Sequence, residues 1–96
     1  MRMLLVAQPD VDKGSDAVVS GDMAKTIQAT VELIKPEATY FAPVRGRRTM
    51  IAVFDLDDPA QLPKISEPLF RMGAVVEIVP AMNMEDLQRG LAAIGS

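Results

Sequence analysis

Few side chains in this sequence are equipped for chemistry, and their types narrow what that chemistry can be. There is no cysteine and no histidine. A thiolate nucleophile, a disulfide framework and a cysteine-held metal are therefore excluded. The commonest general base and proximal haem ligand are missing too. Catalysis would have to use carboxylates, Lys, Arg, Tyr, Ser or Thr, or the substrate itself.

Glu77 is the first candidate. It interrupts the apolar run Val75, Val76, Ile78, Val79. A carboxylate in such surroundings has a raised pKa and suits a general base. The competing reading is a charged residue that guards a sheet edge against aggregation. Tyr40, the one tyrosine, can present its hydroxyl to a ligand in a cleft between sheet and helices, or pack with that hydroxyl at a rim. Arg45, Arg47 and Arg48 flank one glycine. Guanidinium forks suit a carboxylate or phosphate, so the trio is a candidate anion-binding site. The competing and preferred reading is a solvated turn that pairs with acidic loops such as Asp10, Asp12 and Asp16 of a neighbour.

The acids Asp10, Asp12 and Asp16 invite a calcium reading, but the spacing fails. A calcium loop starting at Asp10 needs a glutamate where the chain has Gly21. No metal and no cofactor is expected. The seven methionines read as core filler that can also line a pliable pocket. Phosphate loops and nucleophile elbows are absent. A net charge of −3 argues against nucleic acid and against an anionic membrane surface. The first apolar run, Met3 to Ala7, is too short for a signal-peptide core or a membrane span, and no other run approaches ~20 residues. A soluble, cytoplasmic protein is the default expectation.

The elements that must position these residues are legible in the periodicity. Residues 2–8 read as a buried strand and 9–19 as a long loop. Ser20 reads as the N-cap of a helix carrying Met23, Ile27, Val31 and Ile34 on one stripe, closed by Pro36. Residues 37–44 and 48–55 alternate as strands around a hairpin at Arg45-Gly46-Arg47. Asp57 or Asp58 caps a helix with Pro59 in its first turn, and Leu62, Ile65 and Leu69 form its stripe. Residues 74–80 form the last strand. Asn83 then caps a helix with the stripe Met84, Leu87, Leu91 and Ile94.

The order β-α-β-β-α-β predicts one α+β domain over residues 1–96, a ferredoxin-like sandwich. Right-handed crossovers place the four antiparallel strands in the order 4-1-3-2, with the crossover helices on one face. A sheet with water on its other face should be polar there, yet these strands are apolar on both faces. Two covers are open to the second face: a second copy packed sheet against sheet, or the helix over residues 84–94 folded over its own open face. The homodimer is the favoured expectation, because one helix covers only part of four strands, with that helix contacting the partner or finishing the sheet edge.

The whole chain resembles the dimeric α/β-barrel superfamily, including its small uncharacterised bacterial proteins. The resemblance is carried by Met3-Leu4-Leu5-Val6-Ala7, by the helix start Asp57-Asp58-Pro59-Ala60, and by Val76-Glu77-Ile78-Val79-Pro80-Ala81-Met82. Members pair ferredoxin-like sheets face to face. They include small monooxygenases, muconolactone isomerases, haem-degrading proteins and proteins without a known activity. The missing histidine departs from the haem-binding pattern. The expectation is a dimeric module that binds a small apolar or anionic molecule or another protein. The alternative is a cofactor-independent enzyme, monooxygenase- or isomerase-like, acting on a small apolar or aromatic metabolite through Glu77, Tyr40 or an arginine.

Overall fold

The computed structural model describes residues 1–95. The elements are β1 (Arg2–Gln8), α1 (Val11–Ser20), α2 (Asp22–Ile34), β2 (Ala38–Val44), β3 (Arg47–Asp55), a 3-10 turn (Pro59–Gln61), α3 (Leu62–Arg71), β4 (Val75–Pro80) and α4 (Met84–Gly95). The four strands form one sheet in the order β2-β3-β1-β4, which from the other edge reads β4-β1-β3-β2. Every pairing is antiparallel.

Register fixes the faces. Leu5 lies opposite Ala52 and Ile78, and Ala7 opposite Met50 and Val76. Side chains directly opposite one another share a face, and neighbours along a strand alternate. Met3, Leu5, Ala7, Met50, Ala52 and Phe54 therefore share one side of the sheet. They are buried there with Ala17 of α1, Met23 and Ile34 of α2, and Ile65 and Leu69 of α3. This is the core. The α2 stripe behaves as its spacing implies: Met23 and Ile34 are buried, and Ile27 and Val31 pack against the cluster.

One expectation is corrected. Residues 11–20 are a helix, not part of a loop. Asp10 caps it by accepting a hydrogen bond from the Lys13 N–H at 3.1 Å, which satisfies a free first-turn donor. Its buried residues are Gly14 and Ala17, so it approaches closely through small residues and shows no stripe of large ones. Ser20 is accordingly not the N-cap of α2. Gly21, with φ +85°, makes the break between the two helices, a conformation that L side chains resist. The Ser20 hydroxyl spans the junction, donating to Ala17 O and accepting from Asp22 N.

The β2–β3 hairpin turns through Arg45 and Gly46 alone, since Val44 pairs with Arg47. Both turn residues have positive φ, +55° and +75°. That is the signature of a type I′ turn, whose twist matches the strands. Asp58 and Gln61 form a reciprocal capping box before α3, as the Asp-Asp-Pro start implies. Asn83 and Asp86 do the same at α4: Asn83 Oδ1 accepts from Asp86 N at 2.8 Å, and Asp86 Oδ2 accepts from Asn83 N at 3.1 Å.

The face away from α1, α2 and α3 has no cover among the described residues. Leu4, Val6, Ile51, Val53, Tyr40 and Val79 are on it by register. α4 does not fold over this face: its stripe Met84, Leu87, Leu91 and Ile94 is exposed, and none of its described residues is buried. Arg2 ties the start of α4 to the sheet, donating to Glu37 at 3.2 Å and to Asp86 at 3.4 Å. The result is a shape of 55 × 29 × 18 Å with a radius of gyration of 15.3 Å, against ~12.5 Å for a compact chain of this length.

Candidate functional site

A cavity of about 340 Å³ opens between the helices and the β2–β3 half of the sheet. Each wall has a local cause. Met23 and Ile27, one turn apart, come from the inward stripe of α2. Leu69 and Met72 come from the end of α3. Met50 is the core-facing residue of β3 opposite Ala7, and Phe41 is its neighbour on β2. β2 is an edge strand that the helices do not fully cover, so Phe41 remains half exposed and the gap beneath it stays open. Its volume lies at the small end of the usual range for small-molecule sites.

The polar residues of its lining are Arg48 and Thr49; Thr49 pairs with Ala42 and alternates with Met50 along β3, which turns its side chain to the open face. Thr49 is buried; its hydroxyl accepts from Gln8 Nε2 at 3.0 Å and donates to Arg47 O at 3.1 Å. Arg48 is exposed and donates from Nη2 to Ser15 Oγ at 3.2 Å. It forms no ion pair among the described residues. The arrangement offers an apolar space and one guanidinium with donors to spare.

The candidates read from the sequence are divided between faces. Tyr40 pairs with Ile51 and Glu77 with Val6, which puts both on the open face. Tyr40 is 69% exposed there, outside the cleft between sheet and helices. Glu77 is also exposed, on edge strand β4. The arginines separate as well. Arg47 faces the open side opposite Val44, Arg45 forms the tip of the turn, and Arg48 reaches α1 on the helix side. Of the five candidates, Arg48 alone lines the cavity. Asp10, Asp12 and Asp16 lie at and along α1, with Asp10 engaged as its cap.

Phe41 and Ser15 were not candidates on the sequence. Phe41 shows its role only once the register sets it beside Met50. Ser15 belongs to the helix that the missing large-residue stripe conceals.

A second hollow of about 560 Å³ lies at the other end of the helix layer, beside Ile34 and Phe54. Lys35, Asp55, Asp57 and Lys64 line it, so charges of both signs meet water there. The Met1 amine donates to Asp55 at 2.7 Å and holds this carboxyl below its ordinary range. The smaller cavity is the better candidate, because its walls are mostly apolar and Arg48 is the one charged residue among its described lining residues, so desolvating an apolar guest there costs less.

Comparison with protein-family models gives no match for this chain, and comparison with curated proteins gives none either.

Proposed function

We propose that the protein is a ferredoxin-like homodimeric module of the dimeric α/β-barrel type that binds a small apolar molecule, with the cytoplasm as its expected compartment. The observation that carries the binding reading is the cavity of about 340 Å³ lined by Met23, Ile27, Met50, Leu69 and Met72. Methionine side chains are long and unbranched and adapt to an irregular guest. The strand order and the helices on one face support the fold assignment. The homodimer is supported by the apolar open face and by the exposed stripe of α4.

The enzyme reading needs a general acid or base at the ligand. Arg48 supplies neither, and Thr49, Tyr40 and Glu77 stand on the other face. Binding is therefore the preferred function. A thermal-shift screen of small aliphatic and aromatic compounds tests it, because a ligand that favours the folded state raises its midpoint by mass action. A rise of several degrees for a subset of compounds is the expected result. A flat response across the screen at millimolar concentrations overturns the reading.

A further inference from the structure

We infer that Arg48 makes this cavity selective for a small amphipathic carboxylate, its apolar body among the methionines and its head group on the guanidinium. The inference rests on the binding reading above and adds the ligand's chemical class.

The position of the guanidinium comes first. A Cβ built on Gly14 would lie 3.4 Å from Arg48 Nη1, 3.4 Å from Pro9 Cβ and 3.5 Å from Met23 Cε. Pro9 and Met23 both line the cavity. Arg48 Nη1 and these two wall atoms therefore surround one point beside Gly14, so the charged end of Arg48, and not just its aliphatic stem, is near those wall residues. Gly14 leaves that space open.

The state of the guanidinium comes second. It has five N–H donors. One contacts the neutral Ser15 hydroxyl, and no carboxylate lies within ion-pair distance among the described residues. Arg2, by contrast, engages both Glu37 and Asp86. A guanidinium with no carboxylate partner at the edge of an apolar space fits a planar anion that brings its own hydrocarbon. A neutral guest offers the guanidinium no opposite charge, and a cationic guest would be repelled.

Octanoate and 1-octanol separate the two levels of the proposal. They share a chain and differ in head group, and octanoate is ionised at pH 7. Binding to the intact chain is measured by calorimetry at low salt, then repeated with Arg48→Gln and Arg48→Lys. The wild-type protein is expected to prefer octanoate by about tenfold, the size of one charge-assisted contact. The octanoate-to-octanol ratio falls towards one in Arg48→Gln and recovers in part in Arg48→Lys. Equal affinities in the wild type overturn the carboxylate inference while leaving the apolar-cavity reading standing, and that comparison needs no variant to fold. A preference that persists in Arg48→Gln overturns it as well. Binding of neither compound overturns both.

Discussion

Phe54, Leu5 and Leu69 are the largest fully enclosed side chains of the core. Replacing Phe54 by Ala removes most of a ring from a space that cannot collapse completely, at a cost of about 3–5 kcal/mol. Small domains have ~5–15 kcal/mol in total, so urea denaturation should show a much lower midpoint for Phe54→Ala. The hairpin tip gives a test of opposite signs. Gly46, at φ +75°, tolerates its conformation because it has no Cβ; Gly46→Ala should lose about 1–2 kcal/mol. Arg45 holds φ +55° with a full side chain. Arg45→Asn should gain about 0.5 kcal/mol, since Asn-Gly is the favoured type I′ pair. At this scale the sequence shows which residues are unusual but not where they point. Arg47 and Arg48 are adjacent and look like one cluster. Only the pairing of Val44 with Arg47 sends them to opposite faces of the sheet.

α4 is the element most dependent on its first turn, because no described residue of it is buried. Asn83→Ala removes the acceptor for Asp86 N and should cost the helix about 1 kcal/mol. That loss is measurable as faster amide exchange in residues 84–88. Asp86 itself is held below the ordinary carboxylate range, chiefly by the hydrogen bond from the Asn83 backbone and then by Arg89 and Arg2. A lowered folded pKa stabilises the folded state above the unfolded pKa of ~3.9 and loses that contribution as the pH falls through the folded value. Amide exchange in the first turn of α4 should therefore be unchanged between pH 7 and pH 5 after correction for intrinsic rates, and accelerate below about pH 4.

Elements with large apolar stripes were legible in advance. α2 and α3 follow from Met23, Ile27 and Ile34, and from Ile65 and Leu69, because a 3.6-residue period in bulky side chains requires a buried face. α1 was not legible, because its contact is made by Gly14 and Ala17, and two small residues leave no amphipathic signal. The stripe of α4 was plain, but a stripe says that a surface is to be covered and not by what. The cavity has the same limit. Its methionines are scattered over α2, β3 and α3, and nothing local in the sequence records that they converge.

Among the described residues two apolar surfaces stand uncovered, the open sheet face and the exposed stripe of α4. Large contiguous apolar patches are unusual on a monomer, and a symmetric pair buries the same patch twice. Light scattering on the intact chain should give twice the chain mass at micromolar concentration. Ile51→Lys, placed on the open face by its pairing with Val6 and Tyr40, should shift the mass towards the monomer while the helix-side core is left intact. A monomeric wild type would remove the homodimer from the proposal and leave the cavity untouched, since the cavity belongs to the other face.

The binding cavity is the central claim, and the methionines give it a direct reporter. Met23, Met50 and Met72 line it, whereas Met1, Met82 and Met84 are exposed and outside its lining. Carbon-13 labelling of the methionine methyls, followed by titration with 1-octanol, reads both groups in one spectrum. Saturable shifts at Met23, Met50 and Met72, with Met1, Met82 and Met84 unmoved, are the expected result. No shifts, or shifts confined to Met82 and Met84, would contradict it.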